Sequence, residues 1–193
     1  MLRIFLGISI PNHIRSMLAG IQGGVPGAKW VTPENYHITL KFIGDVNEVV
    51  KEDIAEALDE LAFPVFTISL QSIGIFTHGN DPHHIWIKPT PEVQIIKLNS
   101  KIENLLQTKA SLKAETRKFT PHLTLAKMQD TNPDKKSDRD KLFDSTLNPN
   151  YSLEEKLRDA ISAGKSPTNE LYIEANQPGK EDTANYNSFF YYT

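Results

Sequence analysis

Two tetrapeptides with the same pattern decide the fold: residues 37–40 are HITL and residues 122–125 are HLTL. In an extended strand, side chains two residues apart point to the same face. Each tetrapeptide therefore predicts a short strand with a histidine and a threonine on one face and two aliphatic side chains on the other. A pseudo-two-fold relation between the strands would bring both His-Thr pairs to one cleft.

The sequence around each tetrapeptide predicts the same order of strand, helix and strand. Around the first, apolar runs predict strands over residues 2–10 and 36–43, with a helix opened by Pro11 between them and a helix capped by Asn47 after them. Around the second, we expect a strand over 65–76, a polar turn over 78–82, a strand around 85–87, a helix opened by Thr90 and Pro91, and a strand near 121–127.

This alternation, with several strands joined as hairpins, predicts an α+β fold rather than a doubly wound one. We expect two pseudo-symmetric lobes of mixed or antiparallel sheet, with outer helices, around a central cleft. The chain, 1–193, is expected to form a single bilobal domain. Within it, the polar segment 130–165 is interpreted as an insertion of one loop and one amphipathic helix without a catalytic part. Further strands are expected over 171–175 and 188–192.

Composition excludes several classes of function. The chain has 193 residues, with 21 basic and 24 acidic side chains, and its formal charge of −3 provides no global basic field for long nucleic acids. It has no cysteine, which excludes disulfides, thiolate metal sites and cysteine nucleophiles. The apolar start is interrupted by Arg3 and closed by Pro11, so it predicts neither a secretion signal nor a membrane span. We expect a cytoplasmic protein.

The residues around both tetrapeptides carry a specific resemblance. Residues 30–44 (WVTPENYHITLKFIG) and 117–127 (RKFTPHLTLAK) resemble the first and second motifs of the two-histidine (2H) phosphoesterases. Within that superfamily they are most similar to the RNA 2′,3′-cyclic phosphodiesterases, also called 2′-5′ RNA ligases. A single tetrapeptide of this kind also arises in a strand by chance, but two copies in matched contexts favour the resemblance.

The resemblance implies the roles of four side chains. His37 would protonate the leaving 3′ oxygen, His122 would activate water, and Thr39 and Thr124 would donate hydrogen bonds to the phosphoryl oxygens. These residue types suit that chemistry, because imidazoles titrate near neutral pH and hydroxyls are donors. The residues alone do not fix which histidine is the acid. Side chains supply the acid, the base and the donors, so we expect no metal and no cofactor.

The resemblance also implies roles for two further residues. Phe42 matches an aromatic residue that stacks on a nucleobase, although in a regular strand its side chain would point away from His37, which leaves core packing as the alternative. Lys127 matches a phosphate-contacting position that usually holds arginine, and lysine keeps the charge without the bidentate geometry. The basic side chains before it either favour an anionic ligand or form a solvated face: Lys109, Lys113, Arg117 and Lys118.

Two other signals are weak. The ligand-type side chains of the polar turn have no recognised metal-binding spacing, so a solvated turn is the preferred interpretation: His78, Asp81, His83 and His84. Residues 164–166 (GKS) resemble the end of a phosphate-binding loop, but Asp159 stands where that motif needs glycine, and a helix is predicted where it needs a strand.

The resulting expectation is a monomeric enzyme that hydrolyses a terminal 2′,3′-cyclic phosphate on RNA ends or small cyclic nucleotides. The product implied by the resemblance is a 2′-phosphate, and no membrane is involved. Two alternatives stay open. One is a phosphodiesterase acting on another cyclic phosphate or a 2′-5′ linkage, and the other is a non-catalytic module that binds RNA ends.

Overall fold

The computed structural model describes residues 1–25, 27–78, 81–128, 171–173 and 190–192. This part of the chain forms three α-helices, eight β-strands and one 3₁₀ turn. In chain order they are β1 (Leu2–Ser9), α1 (Asn12–Gly20), β2 (Ala28–Trp30), the 3₁₀ turn (Pro33–Asn35), β3 (His37–Val46), α2 (Glu48–Asp59), β4 (Phe66–His78), β5 (Asp81–Thr90), α3 (Glu92–Lys109), β6 (Leu123–Met128), β7 (Leu171–Ile173) and β8 (Phe190–Tyr192).

The strands form one antiparallel sheet that confirms the predicted α+β class. Their order is β7-β4-β5-β6-β3-β1-β8, and β2 also pairs with β6. The units β1-α1-β3 and β5-α3-β6 repeat the same arrangement, because in each the strand after the helix pairs antiparallel with the strand before it. The two halves of the sheet meet where β3 lies beside β6.

The helices form because their apolar side chains recur at helical spacing and pack on one face of the sheet. In α3 the buried residues include Ile95, Leu98, Ile102 and Leu106, which join the buried strand residues in a single core. The predicted cap of α2 is present, since the side chain of Asn47 accepts a hydrogen bond of 2.9 Å from the backbone N–H of Val50. This core holds the strands that carry both tetrapeptides.

Two local predictions were wrong. Thr90 ends β5 instead of opening α3, because it pairs with Ser69 of β4 and its hydroxyl donates to the Ser69 carbonyl at 3.3 Å. The expected turn over 78–82 is also shorter than predicted, since His78 of β4 pairs with Asp81 of β5. His83 and His84 therefore lie within a strand.

The interpretation of 130–165 as an insertion, including its helix, concerns residues outside those that the structure describes, so it stays a prediction. Within the last two expected strands, the described residues form β7 and β8. None of the helices described is both long enough and apolar enough to cross a membrane.

Candidate active site

The two tetrapeptides lie at the start of β3 and β6, where the halves of the sheet join. Ile38 of β3 and Leu123 of β6 form an antiparallel bridge, and both side chains are fully buried in the core. The residues on either side of them therefore point to the opposite face. Extending the register of this bridge by one residue sets His37 opposite Thr124 and Thr39 opposite His122. The structure thus brings both predicted His-Thr pairs together about a pseudo-two-fold axis.

Both histidines are held by the same local hydrogen bond. Nδ1 of His37 lies 2.7 Å from the carbonyl oxygen of Asn35, and Nδ1 of His122 lies 2.7 Å from the carbonyl oxygen of Thr120. A carbonyl oxygen only accepts, so each Nδ1 carries the hydrogen and donates it. Each neutral ring therefore has its lone pair on Nε2, where it is able to take a proton. This arrangement suits acid–base chemistry.

Aromatic side chains fix the orientation of each imidazole. The ring of Phe5 packs on His37 with the centroids 4.7 Å apart, and the ring of Phe76 meets His122 edge-on at 4.9 Å. Trp86 stacks on Phe76 at 5.0 Å and also lies beside His122. Gly74 makes this packing possible, because a Cβ there would lie 2.3 Å from Cζ2 of the Trp86 indole. Sequence analysis did not identify these aromatic residues, since they lie on neighbouring strands.

The environment of His37 favours its neutral form. Burial lowers the pKa of His37 from its ordinary value of 6.5, and this effect is larger than the opposing effect of the hydrogen bond to Asn35. The charges of His122 and Arg15 lower the pKa further. The two imidazoles and the Arg15 guanidinium are therefore close enough to interact electrostatically. Arg15 was not identified from the sequence, because a single arginine on a helix resembles a solvated residue.

A β-bulge follows each His-Thr pair and changes which side chains face the cleft. In the first, Gly7 pairs with Thr39 and Leu6 with Lys41, so Leu40 is the extra residue. Phe5 then pairs with Phe42. Because Phe5 and Gly7 lie two residues apart on β1, their partners Thr39 and Phe42 share one face.

The second bulge has the same form. Trp86 pairs with Thr124 and His84 pairs with Lys127, with the register shift between Ile85 and Trp86. Lys127 therefore shares a face with Thr124, as Phe42 does with Thr39. Phe42 and Lys127 each follow their histidine by five residues, so they occupy equivalent positions in the two halves.

The bulges correct the argument made from strand alternation for Phe42. Its side chain faces the cleft and is 69% exposed, and its ring lies 6.0 Å from the ring of Phe5. Core packing is thus excluded for Phe42. Stacking on a nucleobase remains a prediction.

Two of the four basic side chains before the second motif are paired with carboxylates. Lys109 forms an ion pair of 3.0 Å with Glu60, and Arg117 forms one of 3.1 Å with Glu115. The hydrogen bonds from Arg117 lower the pKa of Glu115 to about 2. For Lys109 and Arg117, these contacts favour the interpretation of a solvated face.

Among the ligand-type residues of the β4–β5 hairpin, His83 and His84 have described side chains. The rings of His83 and His84 meet edge-on at 4.3 Å. Within the described ranges, no group of three or more histidine, aspartate or glutamate side chains is arranged to hold a metal ion. His84 lies on the cleft face opposite Lys127, which the sequence did not indicate.

Comparison with known proteins identifies the family to which this fold and site belong. The family model described as "LigT like Phosphoesterase" matches residues 8–86. An archaeal relative from Archaeoglobus fulgidus is 32% identical over 136 residues, which cover 69% of this chain and 76% of that protein. The chain belongs to the LigT-like family of 2H phosphoesterases, as its motifs predicted.

Individual relatives carry a more specific name. The protein from Archaeoglobus fulgidus is named RNA 2′,3′-cyclic phosphodiesterase, as is one from Methanocaldococcus jannaschii. The latter is 33% identical over 181 residues, which cover 82% of this chain and 99% of that protein. Among solved structures, E. coli LigT in apo form is similar in fold, with a TM-score of 0.58 and 22% identity over 68% of this chain and 75% of LigT.

Proposed function

We propose that this protein hydrolyses a terminal 2′,3′-cyclic phosphate on RNA ends or small nucleotides without a metal ion. The observation that carries the proposal is the pair of His-Thr motifs on one face of the sheet, with each imidazole Nδ1 donating to a backbone carbonyl so that Nε2 is the basic atom of the neutral ring. The names of the relatives support the same substrate class.

The reaction needs one base and one acid on opposite sides of the phosphorus atom. His122 takes a proton from water through Nε2 as the water oxygen bonds to phosphorus. The bond from phosphorus to the 3′ oxygen breaks, and protonated His37 gives its Nε2 proton to that oxygen, which leaves a 2′-phosphate. The hydroxyls of Thr39 and Thr124 donate hydrogen bonds to the phosphoryl oxygens as negative charge grows on them.

The acid role requires His37 to gain a proton that it does not hold in the free protein near neutral pH. Its lowered pKa favours the neutral ring. A bound cyclic phosphate is an anion, and an opposite charge within about 4–6 Å raises the pKa of an imidazole. Substrate binding would therefore raise the pKa of His37 and favour its protonated form. Lys127 adds a positive charge on the same face, and Phe42 offers a ring for the nucleobase.

The first test uses adenosine 2′,3′-cyclic monophosphate in buffer that contains EDTA. We expect full activity in the chelator and a single product, adenosine 2′-monophosphate, separated from the 3′ isomer by chromatography. Activity that disappears in EDTA and returns with a divalent ion would contradict the metal-free mechanism. Tight binding of RNA ends without any hydrolysis would instead favour a binding module.

Replacing Phe42 with alanine tests the contact with the nucleobase. Because base stacking contributes about 1–3 kcal/mol, we expect KM for the cyclic nucleotide to rise about tenfold while kcat changes little. Phe42→Tyr is the matched control and should keep the parental KM. A ribose 2′,3′-cyclic phosphate that lacks the base should show no difference between Phe42→Ala and the parent. An equal loss on both substrates would contradict base stacking.

A further inference from the structure

Three nitrogen-bearing side chains form a row across three neighbouring strands beside the second motif. Lys29 of β2 pairs directly with Lys127 of β6, and Lys127 pairs directly with His84 of β5. Side chains of directly opposed residues in antiparallel strands share one face, with their Cβ atoms about 5 Å apart. Lys29, Lys127 and His84 therefore lie side by side on the face that carries Thr124.

The row lies two residues along β5 from Thr124, which is the predicted contact of the reacting phosphate. Thr124 and Lys127 pair with Trp86 and His84, which are two residues apart on β5. Two residues of extended strand span about 7 Å. That separation is comparable with the distance between neighbouring phosphates along a single strand of nucleic acid. A ligand with one phosphate at Thr124 would thus bring a second phosphate to the row.

The charges of the row favour an anionic ligand. Lys29 and Lys127 are exposed and directly opposed, an arrangement of like charges that disfavours strand pairing. In the part of the chain that the structure describes, no carboxylate forms an ion pair with either lysine. Burial lowers the pKa of His84, and the charges of His83, Lys127 and His122 lower it further. A phosphate would relieve this repulsion.

The two halves of the cleft differ at equivalent positions, which gives the ligand a direction. Phe5 pairs with Phe42 in the first half, whereas His84 pairs with Lys127 in the second. The first half therefore offers aromatic rings for a base, and the second offers donors for a phosphate. A nucleotide bound across the motifs would place its base on the first half and extend its backbone over the second.

We propose that the row of Lys29, Lys127 and His84 binds the phosphate on the 5′ side of the terminal nucleotide. This inference rests on the proposed function and adds a substrate preference to it. The preferred substrate is an RNA end, or a nucleotide with a 5′-phosphate, and a cyclic nucleoside phosphate with a free 5′-hydroxyl is a poorer one. Lys29 and His84 are then specificity-determining residues.

Binding of two product-type ligands tests the row without depending on catalysis. Isothermal titration calorimetry would compare adenosine 2′,5′-bisphosphate with adenosine 2′-monophosphate. We expect the bisphosphate to bind at least about tenfold more tightly, because hydrogen bonds to a charged group contribute that much or more. Lys29→Ala should remove most of this preference, and Lys29→Glu should reverse it. Lys97→Ala, which removes an exposed lysine on α3, is the matched control and should preserve the preference.

The same pair of ligands separates failure of this inference from failure of the proposed function. Equal affinity for both ligands in the parent, or a preference that survives Lys29→Glu, would overturn the row as a phosphate site even if cyclic phosphate is hydrolysed. A preference that depends on Lys29 in a protein without hydrolytic activity would support the row and overturn the enzymatic proposal. For an active protein, kcat/KM should follow the same order, with 5′-phosphorylated adenosine 2′,3′-cyclic phosphate preferred over the unphosphorylated form.

Discussion

Replacing either His37 or His122 with alanine is expected to lower kcat for 2′,3′-cyclic phosphate hydrolysis by at least about 10²-fold, the scale of acid–base catalysis by one side chain. Each substitution removes the Nε2 to which the mechanism assigns a proton transfer. Both variants should keep the parental circular dichroism spectrum. His13→Ala, on the exposed side of α1, is the matched control and should retain parental kcat. Near-parental kcat in either catalytic variant would contradict the mechanism.

The pH dependence of the parent enzyme tests which role His37 has. An acid must carry its proton, so activity that depends on protonated His37 is lost as pH rises through its pKa. Because burial lowers that pKa in the free protein, the alkaline fall of kcat/KM should lie below pH 6.5. The bound phosphate anion raises the pKa, so the corresponding fall of kcat should lie at higher pH. Identical profiles for the two parameters would assign the acid to another group.

The fold could be predicted from the sequence where a periodic pattern extends over a whole element. Alternation at 37–40 and 122–125 places histidine and threonine on one face, and the structure has this arrangement. The strand β2 (Ala28–Trp30) was missed, because three residues after a glycine-rich segment have no measurable period. Its position comes from tertiary pairing with β6, and the same pairing brings Lys29 to Lys127.

The parts of the site that were not predicted depend on the two bulges. Alternation is valid only within a regular strand, and the extra residue at Leu40 reverses the faces of Lys41 and Phe42, up to the next register shift of β3. Regular alternation would therefore point Phe42 into the core, whereas its pairing with Phe5 places it on the opposite face. The extra residues, Leu40 and Leu125, are not glycines, so the bulged strands contain no local signal for them.

Lys41 was also not recognised, although it forms a buried ion pair behind the first motif. Its Nζ lies 2.7 Å from both carboxylate oxygens of Glu103 on α3, and the two side chains are only 6% and 14% exposed. The Lys41 ammonium also contacts the carbonyl of Lys113, and Glu103 accepts from the backbone N–H of Glu115, each at 3.4 Å. The pair thus connects β3 and α3 to the segment that leads into His122.

Glu103→Ala is expected to lower the free energy of unfolding by about 3–5 kcal/mol, because it leaves the Lys41 ammonium buried without a carboxylate. Urea denaturation measures this loss. Lys41→Met combined with Glu103→Leu removes both charges, and should recover most of the stability, since an apolar pair of similar volume avoids the cost of desolvating two ions. Arg3→Ala is the control: it breaks the exposed pair with Asp45 and should leave the midpoint of urea denaturation unchanged. If the single and double variants at Lys41 and Glu103 lose equal stability, the loss comes from packing and not from an unpaired buried charge.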